Sequence, residues 1–286
     1  MVCGGPVGQA GVVISVGTVL LTMLLSAAAI VVVFVATFGW ALAAGKQAVV
    51  DIVWGPGFAV VALVAYLVAA GTAEGVGLRS TVLLVVVAAW GLRLGGHIFL
   101  RSRGKGEDPR YVDIMAEATG DPRLHAFRKV YLTQAAVMWV VSLPVQVGMS
   151  ATGGGAVVGV LVVLGVAVWL VGFVFETVGD LQLTRFKADS ANKGTVLDSG
   201  LWRYTRHPNY FGDVCVWWGI FLVSLASPWV LVTAVGPLLM TRLLTKTTGK
   251  ELLEKHLSSR AGYAEYVERT SGFLPLPPGS KGARSS

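Results

Sequence analysis

Long apolar runs without charged residues dominate the hydrophobic pattern of this chain. They cover residues 1–45, 52–73, 130–175 and 214–241. A helix needs about 20 consecutive apolar residues to cross the hydrocarbon core of a bilayer, so each run is long enough for at least one span. The runs show no alternation with a period of two, which argues against a transmembrane β-barrel. The pattern therefore predicts an all-α protein that crosses a membrane several times.

Breaks within two of these runs raise the predicted number of membrane-spanning segments to seven. The first three segments are predicted at about residues 11–44, 51–70 and 80–100. The glycine-rich stretch 148–155 divides the third run into segments four and five. Ser227-Pro228 divides the fourth run into segments six and seven, because proline does not continue a preceding helix. The whole is predicted to be a polytopic bundle of seven transmembrane helices.

Composition and domain organisation agree with this interpretation. Hydrophobic residues make up 54% of the chain and charged residues 14%, whereas soluble domains have about 25% charged residues. We expect an N-terminus with the first segment at residues 1–44, a six-segment core at 45–274 and a disordered tail at 275–286. Cys3 and Cys215 lie in apolar surroundings, so neither a disulfide nor a metal site is expected.

Positively charged residues set the predicted orientation. Of the 23 Lys and Arg residues, only Arg79 falls in a loop assigned to the outer side. Basic residues are retained on the cytoplasmic side of membrane proteins, so the N-terminus is predicted outside and the C-terminus in the cytoplasm. The same bias accounts for the net charge of +7, and no nucleic-acid partner is expected. The abundance of Val, Ala and Gly suggests a bacterial source, and hence the cell inner (plasma) membrane.

Polar side chains within the predicted spans gather at one membrane depth. Ionisable residues inside a membrane are costly and usually serve function. Anchors at helix ends would occur on both faces, whereas these residues lie only at the inner ends, so they predict one polar pocket open to the cytoplasm. The residues are Asp51, Arg93, His97, Glu176, Asp180, Asn209, Tyr210, Asp213 and Arg242.

The first half of the stretch 200–219 is suited to binding an anion. Pro208 favours the first turn of a new helix, so segment six is predicted to begin near His207. The free N–H groups and the dipole of a helix N-terminus attract anions such as phosphate. Arg203 and Arg206 add positive charge beside this terminus.

The same stretch continues with two polar side chains one helical turn apart. Asn209 and Asp213 face the same way and are suited to an amide or a sugar, with Tyr210 beside them. The alternative is that Arg and Tyr side chains only anchor the chain at the membrane surface. Anchoring alone does not account for Asn209 and Asp213.

Segments three and five each present a polar stripe. Arg93 and His97 share one helix face and can donate to an anionic ligand, although His97 can equally bond a neighbouring carbonyl. On segment five, Asp180 can accept from ribose hydroxyls and Lys187 can meet a phosphate. The alternative for the second stripe is a set of ion pairs within the helix.

The start of segment two carries an acid and an indole close together. Asp51 and Trp54 are placed to contact a substrate ring. A simple helix cap is the rival interpretation of Asp51, because Asp is common at helix N-termini.

Several motifs occur in order along the chain. Residues 197–213 read Leu-Asp-Ser-Gly-Leu-Trp-Arg-Tyr-Thr-Arg-His-Pro-Asn-Tyr-Phe-Gly-Asp, and segment two begins with Asp-Ile-Val-Trp-Gly. Residues 90–93 read Trp-Gly-Leu-Arg, and the tail contains Tyr-Ala-Glu-Tyr-Val-Glu-Arg at 263–269 and Phe-Leu-Pro at 273–275. With these motifs, residues 45–278 resemble the steroid 5-alpha-reductase family, in its bacterial branch of DUF1295 proteins.

The resemblance implies a seven-helix bundle that binds NADPH from the cytoplasmic side. It implies hydride transfer to an activated carbon–carbon double bond of a lipid or steroid-like substrate. Dinucleotide contacts are implied for Asp180, Lys187, Asn209 and Asp213, and further cofactor contacts for Ser102 and Lys105. The hypothesis adds Arg93, Arg203, Arg206, His207 and Tyr210 to the cofactor set, and makes Asp51, Trp54 and His97 the catalytic candidates.

Two positions depart from the steroid enzymes. Trp54 and Gly91 stand where those enzymes use Glu and Tyr to hold the substrate carbonyl. Asp51, one turn from Trp54, is a candidate for that contact. The lipid substrate is therefore not defined by the sequence, and neither is the oligomeric state.

Two other classes of function stay open. The motif Arg-His-Pro-x-Tyr-x-Gly also occurs in the isoprenylcysteine carboxyl methyltransferase and phospholipid methyltransferase group, which uses S-adenosylmethionine. That group has adjacent glutamates after the last helix, where this chain has Glu251 and Glu254. The third possibility is a non-catalytic lipid-binding or transport protein. It predicts polar residues continuing to the outer side, where the segments are almost purely apolar.

Overall fold

The computed structural model describes most of the chain and divides it into two units. The described residues are 13–73, 75–152, 154–247, 250, 254, 257–258, 260 and 262–279. Unit 1 comprises residues up to 165 together with 220–236, and unit 2 comprises residues 166–219 and those from 237 onward. The predicted start of segment one, near residue 11, lies outside the described residues.

Helices account for nearly all the regular structure of the described residues. They are α1 (Val16–Ala44), α2 (Val49–Ala70), α3 (Leu78–Ser102), α4 (Pro109–Ala116), α5 (Pro122–Ala126), α6 (Thr133–Val141), α7 (Leu143–Met149), α8 (Ala156–Ala188), α9 (Pro208–Ser224), α10 (Val235–Arg242) and α11 (Tyr263–Arg269). π-Helical turns at Phe127–Leu132 and Leu243–Thr247 extend α6 and α10, and short 3₁₀ helices occur at Ser190–Asn192, Gly200–Arg203 and Pro228–Ala234. Two residues each of β1 (Val13–Ile14) and β2 (Ala151–Thr152) pair antiparallel.

Within the part of the chain that the structure describes, five helical stretches are long and apolar enough to cross a membrane. They are Val16–Ala44, Val49–Ala70, Leu78–Ser102, Ala156–Ala188 and Pro228–Lys246. A sixth is counted if Pro122–Val141 and Leu143–Met149, which meet at a bend of 44°, form one span. The all-helical membrane architecture is thus confirmed, while seven spans and the orientation stay predictions. The remaining candidate, α9, has 17 residues, fewer than the about 20 usual for a span.

The predicted breaks fall where the sequence places them. α7 ends at Met149 and α8 begins at Ala156, so the glycine-rich stretch separates two helices. α9 begins at Pro208, as its place in a first turn predicts. Ser227 caps the next 3₁₀ helix, because its Oγ accepts a hydrogen bond from the Trp229 N–H at 3.3 Å.

Unit 1 is built around α2, which packs against both α1 and α3. Gly55 and Gly91 allow the close approach of α2 and α3, because a Cβ on either would overlap the backbone of the other. Small residues at helix contacts let backbones approach closely in membrane bundles. Phe58 and Trp90 are buried beside this contact, with ring centroids 5.7 Å apart.

Glycines also set the packing of α8 on α9 within unit 2. A Cβ on Gly212 would overlap the backbone of Gly172 and the backbone N of Glu176. Gly179 lies under Pro208 at the start of α9. The C-terminal half of α8 therefore packs directly against the first turns of α9.

Two backbone hydrogen bonds hold residues of the segment 275–279. The Leu276 N–H donates to the Tyr204 carbonyl at 3.0 Å, and the Gly279 N–H donates to the Arg269 carbonyl at 3.0 Å. Leu276 and Gly279 thus form backbone hydrogen bonds within the stretch from residue 275 onward that the sequence predicts to be disordered. The rest of that stretch, residues 280–286, lies outside the described residues.

Candidate functional site

A cavity of about 560 Å³ lies within unit 2. The end of α8, the loop that follows it, the residues before α9 and the tail all contribute to its wall. Among the lining residues, the basic ones are Lys187, Lys193, Arg206 and Arg260, and the acidic one is Asp189. The aromatic lining residues are Phe186, Trp202, Tyr263 and Tyr266. The cavity thus combines an excess of positive charge with flat apolar surfaces.

Three of the basic lining residues are exposed at the rim of the cavity. These are Lys187, Lys193 and Arg260. Arg260 is oriented by a hydrogen bond from its Nη1 to the Thr195 carbonyl at 3.1 Å. The predicted phosphate contact Lys187 is therefore part of a cationic rim, whereas sequence reasoning missed Lys193 and Arg260. No spacing rule connects them to the motif, because they come from a loop and from the tail.

Arg206 holds the tail against the stretch that precedes α9. Its Nε donates to Glu254 Oε1 at 3.0 Å. Its Nη1 donates to the carbonyls of Thr270 at 2.9 Å and Val267 at 3.2 Å. Arg206, a predicted cofactor contact, lines the cavity, and its contact with a cofactor stays a prediction. Its guanidinium, however, is largely engaged by protein acceptors.

His207 is buried in the same wall, with 3% of its surface exposed. Its Nε2 lies 3.0 Å from Glu254 Oε1. Its ring stacks on Tyr210 with centroids 5.5 Å apart and planes 1° from parallel. Tyr210 therefore packs against the imidazole ring of His207 and helps to fix its orientation.

Burial and the contact between the two side chains set the charges of His207 and Glu254. Burial lowers the pKa of His207 below its usual range, and the charges of Arg206 and Lys250 act in the same direction, against the effect of Glu254. Burial alone would raise the pKa of Glu254, but hydrogen bonds from His207 and Arg206 lower it to about 2. At neutral pH, Glu254 is therefore a carboxylate and His207 is neutral.

Two tyrosines of α11 line the cavity, and they differ in whether their hydroxyl has a hydrogen-bond partner. The Tyr266 hydroxyl donates to the Trp202 carbonyl at 2.6 Å. The Tyr263 hydroxyl is buried and has no hydrogen-bond partner among the described residues. Burial raises the pKa of both phenols, so both are donors at neutral pH. Tyr263 thus carries an unsatisfied donor in the wall of the cavity, which is costly unless a ligand or water satisfies it.

The structure brings together the predicted pair Asp180 and Asn209. Asn209 Nδ2 donates to Asp180 Oδ1 at 3.2 Å, and Asp180 is 6% exposed. Gly179 makes this possible, since the Asn209 backbone N lies close to it. Asp213 follows one turn later on α9. These three polar residues, together with exposed Arg203, are not among the residues that line the cavity.

The predicted catalytic acid Asp51 is part of a hydrogen-bonded network in unit 1. Tyr111 Oη donates to Asp51 Oδ1 at 2.5 Å, and Arg110 Nη2 donates to Asp51 Oδ2 at 2.8 Å. Gln134 Nε2 donates to Tyr111 Oη at 3.2 Å, and Trp54 Nε1 donates to Gln134 Oε1. The network joins the two catalytic candidates Asp51 and Trp54 through α4 and α6.

The rival interpretation of Asp51 as a simple helix cap is wrong. The backbone N–H groups of Gln47 and Ala48, at the start of α2, donate to Glu107 at 2.5 and 2.9 Å. A carboxylate near a helix N-terminus is stabilising, and here a loop residue supplies it. Asp51 instead fixes α4 to α2, and its catalytic role stays a prediction.

The other predicted residues of unit 1 lie on or after α3. Arg93 and His97 are half-buried on that helix. Ser102 Oγ donates to the Phe99 carbonyl at 3.0 Å, within the last turn. Lys105 is exposed, and its carbonyl accepts a hydrogen bond from Lys46. Cofactor contacts for these residues stay predictions, as does the single pocket predicted to draw on both units.

Comparison with known proteins gives one match. A family model described as a protein of unknown function (DUF1295) matches residues 37–270. Neither the curated proteins nor the solved structures contain a significant match.

Proposed function

The chain belongs to the DUF1295 family of proteins of unknown function, and we propose that it is a membrane-embedded, NADPH-dependent reductase. It transfers hydride to an activated carbon–carbon double bond of a lipid or steroid-like substrate, in the inner (plasma) membrane. The resemblance to DUF1295 proteins is confirmed by the family match. The relation to steroid 5-alpha-reductases belongs to the proposal.

The cavity of unit 2 is the observation that carries this proposal. Its cationic rim suits the phosphates of a dinucleotide, and Phe186 and Trp202 offer surfaces for a nucleobase. The buried Tyr263 hydroxyl offers a donor that the described protein atoms do not use. The residues present therefore fit an anionic, aromatic ligand. When bound, NADPH supplies the hydride of the reaction.

Some residues around the cavity would bind the cofactor, and others hold the wall of the cavity in place. Lys187, Lys193 and Arg260 would hold phosphate oxygens, because they are basic lining residues on the exposed rim. The ion pair of Arg206 with Glu254 keeps the tail in the wall of the cavity. The Asp180–Asn209 pair supplies buried polar atoms at the contact of α8 with α9.

Titration of the purified full-length protein with NADPH tests the proposal. In lipid nanodiscs, we expect saturable binding that weakens about tenfold in the double variant Lys187→Ala, Arg260→Ala, because exposed charge contacts contribute up to about 1 kcal/mol each. Arg185→Ala is the matched control, because Arg185 is exposed on the same helix and does not line the cavity. Absence of saturable NADPH binding to the unaltered protein would rule the proposal out.

One observation favours a second candidate, the S-adenosylmethionine-dependent methyltransferase. Glu254 reaches the Arg-His-Pro motif through its contact with His207, so a tail glutamate does meet the motif. Glu251, the other glutamate that follows segment seven, lies outside the described residues. Binding of labelled S-adenosylmethionine, with no competition by NADPH, would establish this alternative over the reductase.

A further inference from the structure

His207 and Glu254 form a buried pair in the wall of the unit 2 cavity. The imidazole lines the cavity, whereas Glu254 is not among the lining residues. The Nε2 edge of the ring is therefore turned toward the tail, where Glu254 Oε1 lies 3.0 Å away. One face of the ring is covered by Tyr210. Nδ1 makes no hydrogen bond to any of the described residues.

The hydrogen bond between the two side chains fixes where the imidazole proton lies. A carboxylate has only acceptor atoms, so the 3.0 Å contact requires a proton on Nε2. A neutral imidazole carries one ring proton, which leaves Nδ1 with a free lone pair. A second proton is disfavoured by burial and by the positive charge of Arg206 and Lys250, although Glu254 favours it.

We propose that Glu254 is a positioning residue that holds His207 in the Nε2–H tautomer, so that Nδ1 accepts a hydrogen bond from a hydroxyl or amino group of the bound nucleotide. The inference rests on the proposed function for the identity of the ligand. It assigns His207 a role opposite to that of the cationic rim, because an acceptor recognises a donor group and repels a phosphate oxygen. The acceptor thus orients the ligand within the cavity, with the donor-bearing part at His207 and the phosphates at the rim.

The tautomer is measured directly by nitrogen NMR of histidine-labelled protein at neutral pH, without ligand. The chain has four histidines, and the His207→Gln variant identifies the His207 signals. We expect a protonated Nε2 and an unprotonated Nδ1. Glu254→Leu, which removes the acceptor at similar size, is expected to give a mixture of tautomers. A protonated Nδ1 in the unaltered protein would overturn the inference.

A matched pair of substitutions distinguishes a contact of His207 with the nucleotide from a purely structural contact with the tail. The amide of Asn at position 207 reaches the place of Nδ1, whereas the longer Gln reaches the place of Nε2 and keeps the contact with Glu254. We expect His207→Gln to bind NADPH about tenfold more weakly, the equivalent of one buried hydrogen bond, and His207→Asn to retain most of the affinity. The reverse order would mean that His207 only supports the tail, and would overturn the inference.

The two proposals fail in different ways. If the unaltered protein binds no NADPH, the proposed function is wrong, and the ligand-free tautomer measurement alone decides on the role of Glu254. If the unaltered protein binds NADPH but His207→Gln has a higher affinity for NADPH than His207→Asn, the reductase proposal stands and the proposed role of His207 is wrong. Size-exclusion profiles of the variants distinguish weakened binding from misfolding.

Discussion

The hydroxyl of Tyr266 donates a hydrogen bond to the backbone carbonyl of Trp202 at 2.6 Å. This contact joins α11, in the tail, to the residues that lead into α9. Both side chains line the unit 2 cavity. The tail is therefore a structural part of the candidate site.

Removal of this hydroxyl is expected to loosen the tail. Tyr266→Phe keeps the ring but leaves the Trp202 carbonyl without its donor, at a cost of about 1 kcal/mol. Thermal unfolding in detergent should then shift down by a few degrees, with weaker NADPH binding. Tyr204→Phe is the control, because Tyr204 is 43% exposed. Equal effects of both substitutions would contradict a specific role for the Tyr266 bond.

The approach of α8 to α9 depends on glycine at the contact. Gly212→Ala would drive a Cβ into the backbone of Gly172 and of Glu176. Overpacking of this kind costs about 1–3 kcal/mol, and backbone atoms cannot move aside as a flexible side chain can. We expect a lower yield of monodisperse protein and a lower unfolding temperature. Gly159→Ala, where nothing lies within 4 Å, should leave both unchanged.

Tyr111 is central to the hydrogen-bonded network around Asp51 in unit 1. Tyr111→Phe removes the donor to Asp51 and the acceptor of Gln134. Because the half-buried side chains of Asp51 and Gln134 then lose partners, we expect a loss of stability of about 1 kcal/mol or more. Tyr66→Phe serves as the comparison, since the contact of its hydroxyl with Thr81 at 3.5 Å is exposed. Unfolding temperatures that fall equally in the two variants would contradict the importance of the network.

The pairing of Glu254 makes part of the stability dependent on acidity. Its pKa is lowered from 4.5 to about 2 in the folded protein, so the stabilisation is present above pH 4.5 and is lost as the pH falls toward 2. We expect the unaltered protein to be more stable than Glu254→Gln at pH 6, and this difference to shrink progressively below about pH 4.5. Other carboxylates titrate alike in both proteins, so the difference between their unfolding temperatures isolates Glu254. A constant difference down to pH 3 would contradict the assignment.

Local signals in the sequence predicted the helix boundaries well. Pro208 is the first residue of α9, and Ser227-Pro228 marks the start of the 3₁₀ helix that follows it. The glycine-rich stretch separates α7 from α8. Each of these signals acts through the backbone of a few neighbouring residues. The number of spans was harder to predict, because α9 is short and the helices from Pro122 to Met149 are bent.

Long-range partners could not be read from residue spacing. Glu254 lies 47 residues from His207, and Tyr111 lies 60 residues from Asp51. Sequence reasoning marked His207 and Asp51 as candidates because polar groups near a membrane are costly. It could not find the partners that satisfy them, since those partners lie in a polar loop and a polar tail where such residues are common. The neutral state of His207 also depends on burial in the fold, which lowers the pKa of the imidazole.

A structure of the protein determined with saturating NADPH would show whether the unit 2 cavity holds the cofactor. We expect dinucleotide density in this cavity, with phosphates against Lys187, Lys193 and Arg260 and a hydroxyl or amino group at His207. Density for an acyl chain in that cavity, or NADPH bound elsewhere, would contradict this expectation.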